Sequence, residues 1–330
     1  MRVLVVGAGA IGGYFGGRLL QAGRDVTFLV RPRRAAELAS AGLVIKSPHG
    51  DLRLQMPPTI LSENLRAAFD LVLLSCKAYD LAGAMNSFAA AVGPATLILP
   101  LLNGMRHLDA LDERFGASHV LGGLCIIAAT LDAERSVVHL NEHDSLVFGA
   151  RDGAEGERAQ RDDARSERVR GVEHALQNAG FDARLSGQIV HEMWEKWVLL
   201  AALAGVTCLM RASIGDTMAA PGGGPLILEI LDECAAIAVG AGYAPRAAFL
   251  DRARAVLTAK DSTLTASMLR DLESNAPVEA DHVLGDLLRR RRDLATSDAE
   301  ASPLSIAYTH LKAYETRRAG MLAAAQHAGS

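Results

Sequence analysis

Cysteine is scarce in this chain of 330 residues: Cys76, Cys125, Cys208 and Cys234 lie far apart and form no CxxC pair. No disulfide framework and no thiolate metal site can be read from that spacing. Each sits in an apolar run, where cysteine behaves as a small buried hydrophobe. The pattern predicts a reducing, cytoplasmic setting without a metal. A positive surplus is also missing. The formal net charge is −4, too little cation to neutralise a phosphate backbone, so nucleic acid is not expected as a partner. The one basic run, 289–292, is flanked by Asp286 and Asp293 and reads as the solvated face of a helix. Long apolar runs are lacking as well. The charge-free apolar stretch 197–210 has 14 residues where a bilayer span needs about 20, so no membrane is expected and the stretch reads as a buried helix. No charged n-region or cleavage site opens the chain, and no signal peptide is expected.

What the chain has is the composition of a globular protein, half hydrophobic and 22% charged, at a length that suits two domains. Residues 1–185 alternate short apolar runs with helical stretches, the pattern of a parallel sheet with crossover helices. Strands are predicted at 3–6, 26–30, 43–46, 71–75, 96–99 and 120–126. An antiparallel hairpin is predicted from 136–141 and 145–149, turning at the polar residues 142–144. Residues 151–170 are rich in arginine and acid and poor in bulky apolar side chains, which predicts a surface loop or frayed helix start, followed by a helix over 169–179. From 186 to 330 no strand is expected. Helices are predicted at 187–210, 225–241, 246–259, 263–273, 277–295 and 303–320, with the Pro-Gly-Gly-Gly-Pro tract 221–225 as a tight turn. The expected fold is an α/β Rossmann domain, doubly wound and mainly parallel, followed by an all-α C-terminal domain.

The first strand runs straight into Gly7-Ala8-Gly9-Ala10-Ile11-Gly12 and then a helix. Gly7 permits a tight turn, Gly9 lets backbone approach a pyrophosphate, and Gly12 allows close helix–strand packing. The helix start points free N–H groups at the anion. At the end of the second strand an acid would favour NAD; this chain has Arg31, with Arg33 and Arg34 close behind. A guanidinium pairs well with a 2′-phosphate, which favours NADPH/NADP. Lys77 and Asn103 fall at carboxyl ends of later strands, where doubly wound sheets bind ligands. Lys77 can reach phosphate or ribose, and Asn103 the nicotinamide edge.

Reducing a ketone with NADPH also requires a proton donor. Lys196 stands where a polar helix start becomes a buried helix, and partial desolvation there would sharpen its ammonium as an acid. The alternative is a plain i, i+4 pair with Glu192. Ser267 suits a substrate carboxylate or carbonyl, and Glu279 suits the nicotinamide amide or an ammonium; taken alone, each is more often a helix cap or surface residue.

With Gly7 to Gly12, Ser75-Cys-Lys77, Leu102-Asn-Gly-Met105, Trp194-Glu-Lys196, Ser267-Met-Leu269 and Glu279-Ala-Asp281, the chain resembles the ketopantoate reductase family from end to end. The resemblance implies NADPH-dependent reduction of 2-dehydropantoate to (R)-pantoate, in pantothenate and coenzyme A synthesis. It implies Lys196 as proton donor, Asn103 near nicotinamide and substrate, and Ser267 as a substrate contact. Glu279, Lys77 and the backbone of Ala128 would be cofactor contacts. Where such members carry asparagines that contact the substrate, this chain has Leu200, Ala204 and, counting without gaps, Ile214. Those replacements imply a more apolar pocket and leave open a paralogue that reduces another small 2-oxo acid. A non-catalytic NADP(H)-binding sensor is a third possibility. The apolar helical half is compatible with a homodimer, although no particular surface stands out.

Overall fold

The computed structural model describes residues 1–151, 163–294 and 301–328. Of the surface loop or frayed helix start expected over 151–170, residues 152–162 lie outside the described residues, and the helix expected from 169 already begins at Asp163. The chain forms two compact units. One comprises Met1–Leu102 and His107–Val190, the other Asn103–Arg106 and His191–Ser330.

The first unit contains, in order, β1 (Arg2–Val6), α1 (Ala10–Gln21), β2 (Asp25–Leu29), α2 (Pro32–Ala41), β3 (Leu43–Lys46), β4 (Leu52–Leu54) and β5 (Thr59–Ile60). There follow β6 (Leu71–Leu74), α3 (Leu81–Phe88), β7 (Leu97–Pro100), α4 (Arg106–Phe115), β8 (Gly122–Leu131), β9 (Val137–Gly149), α5 (Asp163–Leu176) and β10 (Ala183–Leu185). A parallel sheet has the order β5-β2-β1-β6-β7. Strands β1, β6 and β7 are buried along almost their whole length, as covering both faces requires. A second sheet runs β10-β9-β3-β4, with β8 antiparallel to β9.

That second sheet corrects three expectations. Neither β3 nor the strand expected over 120–126 is part of the parallel sheet: β3 pairs with β4 and β9, and β8 runs antiparallel to β9. The polar residues 142–144 do not make a hairpin turn. They bulge from one long strand: between the pairs Ile127↔Asp144 and Ala129↔His139, β9 sets residues 140–143 against Ala128 alone. Asp144 is drawn inward because the buried Tyr14 hydroxyl donates to it at 2.7 Å. Two glycine doublets on α1 explain how one helix serves both sheets. A Cβ on Gly16 would come within 2.6 Å of the Phe28 ring, on the parallel sheet. On Gly13 and Gly17 it would crowd Val137 at 2.9 Å and Ile45 at 2.7 Å, on the other sheet. Spaced four residues apart, each pair of glycines forms a flat stripe.

The second unit is helical throughout its described residues. It contains most of α6 (Ile189–Met210), then α7 (Ile214–Ala219), α8 (Gly223–Gly240), α9 (Ala247–Leu257), α10 (Ser267–Glu273), a π-helical turn at Asp281–Gly285, α11 (Asp286–Leu294) and α12 (Pro303–Ala328). The sequence did not announce α7, whose start Ser213 fixes through a capping box with Asp216. Nor is 221–225 wholly a turn: Gly222 takes φ 81° and α8 begins at Gly223. Pro225 fits there because the first helical bond is Leu226 N–H to the Gly222 carbonyl, so its missing N–H leaves no gap. Helix α6 is long and apolar enough to cross a membrane, yet most of it is buried in the protein. None of the four cysteines forms a disulfide, and burial pushes the Cys208 thiol up to about 12.

Candidate functional site

The sequence-predicted residues fall into two groups, one in each unit. In the first, Gly7 ends β1 at φ 94°, a conformation that suits glycine, and its N–H donates to the Leu29 carbonyl at 3.0 Å. Gly12 packs so closely that a Cβ would overlap the Gly7 carbonyl and the Ser75 hydroxyl. Ser75 fastens the same turn, donating to the Val6 carbonyl at 3.0 Å. Gly9 differs: a Cβ there would meet nothing within 4 Å. It is the N-cap of α1 with no side-chain cap, and the first helical bond is Gly13 N–H to Gly9 at 2.8 Å. The N–H groups of Ala10, Ile11 and Gly12 therefore precede the helical ladder. Open space before uncapped amides at a helix start fits the pyrophosphate of a dinucleotide.

The three arginines separate. Arg31, the N-cap residue of α2, has a side chain 77% exposed and pairs with Asp80 at 2.8 Å. That hydrogen bond raises the guanidinium above its usual range. Arg33 lies on the surface beside Glu37. Arg34 turns inward, its side chain 11% exposed, and its Nε donates to the Ala8 carbonyl at 3.1 Å. It supports the glycine loop from behind. Lys77 is half-buried just past β6. Ala128 lies at the β8 irregularity, its N–H donating to Asn141 Oδ1 at 2.9 Å, so only its carbonyl is left to serve a ligand. Asn141 was not foreseen; its role depends on a bulge that no local pattern signals.

In the second unit, Gly104 takes φ 77°, and a Cβ there would come within 2.5 Å of the His282 carbonyl. The buried Trp197 indole donates to the neighbouring Val283 carbonyl at 2.9 Å. The Asn103 segment, the start of α6 and the turn after Glu279 are thus packed together. Glu279 is half-buried, and its carbonyl accepts the His282 and Val283 amides. Asp281 is held by Tyr308 at 2.7 Å and Lys312 at 3.0 Å. Burial pushes its carboxyl up, but these bonds outweigh that and hold it below the usual range.

Lys196 is half-buried, and among the described residues its ammonium has no hydrogen bond or ion pair. The Glu192 alternative is not realised. Its neighbours are anchored instead. Trp197 is tied to Val283, and Glu195, 4% exposed, accepts from the Arg246 backbone at 2.9 Å and its Nε at 2.8 Å, with a further ion pair to its Nη2. Burial pushes the Glu195 carboxyl up; the Arg246 bonds prevail and leave it lowered. Ser267 is the exposed first residue of α10. The residue before it is tied to α6 where the Ala266 N–H donates to Thr207 Oγ1 at 3.3 Å. Leu200 is half-buried, whereas Ala204 and Ile214 belong to the core at 3% and 0% exposure. A groove of about 720 Å³ elsewhere on this unit, lined by Leu228, Glu233, Arg291 and Ser302, contains none of these residues. Its polar groups bind one another, Ser302 donating to Glu233 at 2.6 Å. No cluster able to hold a metal occurs among the described residues.

The profile described as "Ketopantoate reductase PanE/ApbA" matches residues 3–153, and "Ketopantoate reductase PanE/ApbA C terminal" matches residues 188–315. A Bacillus subtilis (strain 168) relative, "Uncharacterized oxidoreductase YkpB", is 33% identical over 96% of this chain and 100% of its own length. The crystal structure of a 2-dehydropantoate 2-reductase from Geobacter metallireducens GS-15 superposes at TM-score 0.80 with 25% identity, covering 94% of this chain and 99% of that one. A D-mandelate dehydrogenase in a ternary structure with NADH and anilino(oxo)acetate shares the fold at TM-score 0.81 and 18% identity, over 96% of this chain and 99% of its own.

Proposed function

This chain belongs to the ketopantoate reductase family, and on that footing we propose that it reduces a small 2-oxo acid to the 2-hydroxy acid with NADPH, 2-dehydropantoate to (R)-pantoate being the first substrate to try. One observation carries the assignment of the proton: the Lys196 ammonium has no partner among the described residues, on a helix turn whose adjacent residues, Glu195 and Trp197, are both anchored.

The dihydronicotinamide, when bound, supplies the hydride that reaches the substrate's carbonyl carbon. The chain's own groups do the rest. The Ala10, Ile11 and Gly12 amides receive the pyrophosphate where Gly9 leaves room, and Arg31 meets a 2′-phosphate. Lys77, the Ala128 carbonyl and Glu279 hold the remainder of the cofactor. Lys196 gives its proton to the carbonyl oxygen as negative charge develops there, so the product leaves as a neutral hydroxyl. Asn103 and the Ser267 hydroxyl orient the substrate through its carbonyl and carboxylate.

A second substrate reading rests on Leu200, one turn along α6 from Lys196 and half-buried. An apolar group there favours a 2-oxo acid with a hydrocarbon or aromatic side chain over one with a hydroxyl to be recognised. NADPH absorbance over a panel of 2-oxo acids decides between the two. Turnover of 2-dehydropantoate above the others supports the first; preference for an apolar acid supports the second. No turnover of any acid by a protein that still binds NADPH overturns both and leaves a nucleotide-binding sensor.

A further inference from the structure

Arg31 follows β2 and Asp80 follows β6, and in the sheet order these two strands flank β1. Strands are spaced about 4.8 Å apart, so the Arg31–Asp80 pair reaches across two spacings, past the carboxyl end of β1 where the glycine turn begins. The end of β2 is where doubly wound folds distinguish the dinucleotides: an acid there accepts the ribose hydroxyls of NAD, and an arginine accommodates the 2′-phosphate of NADP. This chain supplies both chemistries. The arginine comes from β2, and the acid arrives from the turn after β6, 2.8 Å from the guanidinium. Both side chains remain open to solvent, Arg31 at 77% and Asp80 at 40%, so neither is committed to the core.

We infer that Asp80 is a specificity-determining residue that weakens this chain's preference for NADPH and lets it accept NADH as well. The inference rests on the proposed use of a nicotinamide dinucleotide. A 2′-phosphate reaching Arg31 must displace the Asp80 carboxylate or lie beside it, and two anions sharing one guanidinium repel. A ribose diol meets no such penalty, because its hydroxyls can donate to Asp80 while the ion pair stays intact. Sequence position alone conceals this, since Asp80 is 49 residues from Arg31.

Equilibrium binding provides the test, without any substrate. NADPH and NADH are titrated by fluorescence, and 2′,5′-ADP and 5′-ADP by calorimetry, on the wild-type chain, Asp80→Asn and Arg31→Ala. Wild type should bind NADPH and NADH within about tenfold of each other. Asp80→Asn removes the charge at nearly constant size and should tighten NADPH and 2′,5′-ADP about tenfold without tightening NADH or 5′-ADP, the scale of one charged hydrogen bond. Arg31→Ala should weaken NADPH and leave NADH nearly unchanged. An unchanged NADPH-to-NADH ratio in Asp80→Asn, or equal weakening of both, overturns the inference and reduces the pair to a structural tie. These dissociation constants can be read even if no 2-oxo acid is turned over, so failure of the proposed reaction and failure of this inference are distinguishable.

Discussion

In the proposed reaction, Lys196 serves because it lacks a partner. An ammonium paired with Glu192 would have its N–H groups engaged by a carboxylate; this one makes no hydrogen bond or ion pair among the described residues and would meet the developing alkoxide. Lys196→Ala should therefore lower kcat by about 10²- to 10⁴-fold, the range of general acid catalysis, with the NADPH dissociation constant nearly unchanged by fluorescence titration. Near-normal turnover would remove the lysine from the mechanism. Gly12 works by what it lacks. A Cβ there would overlap the Gly7 carbonyl and Ser75 Oγ, so Gly12→Ala should cost about 1–3 kcal/mol in urea denaturation and weaken NADPH binding as the loop shifts. Gly9→Ala meets no protein atom; it should preserve stability while weakening NADPH binding, which separates packing from cofactor approach. The opening glycine motif made the turn at Gly7 and the close packing at Gly12 legible, because each follows from the missing side chain. Arg34 was not legible. Its place near Arg31 in sequence suggested phosphate, but the helical turn of α2 directs it to the Ala8 carbonyl.

At the scale of the element, α6 combines two tasks. Its apolar length makes it core, while its first turns hold Lys196 between an anchored glutamate and an anchored tryptophan. Arg246 is the outer half of that anchor, and its side chain is half exposed. Arg246→Ala would leave the buried Glu195 carboxylate without its cation and should cost about 1–3 kcal/mol, a buried-pair penalty reduced for the exposed partner. Urea melts read that loss. Arg246→Lys, which keeps the charge but not the fork, should recover part of it. The alternation of apolar runs predicted β1, β2, β6 and β7 of the parallel sheet but not the two-residue β5. It failed at β3, β8 and β9 because a strand's pattern reports which faces are buried, not which sheet buries them. Similarly, α7 is too short for periodicity to reveal, and its boundary comes from the Ser213–Asp216 cap.

For the molecule as a whole, several titrating groups act in one direction. Burial lowers His282 and His310, so the unfolded chain takes up protons first as pH falls below about 6.5. Glu195 and Asp281 are held below their usual range. A depressed carboxyl contributes stability above its unfolded value of about 4 and loses it as pH falls through the folded one. Both effects make stability decline on acidification. Urea midpoints should fall between pH 7.5 and 5.5 through the histidines, and more steeply below pH 4.5 through the carboxylates. A midpoint that rises over either interval would contradict these burials.

Taken alone, the sequence determined the glycine cradle, the order of an α/β half before a helical half, and the candidacy of Lys196. These depend on residue types at short spacings, which local backbone geometry and burial periodicity translate directly. Only the tertiary structure decided that Arg31 meets Asp80, that Glu195 meets Arg246, and that Asn141 occupies the amide of Ala128. Each of those pairs joins elements from separate parts of the chain, and the packing of sheets and helices, not spacing along the backbone, sets which charges and amides come within hydrogen-bonding distance.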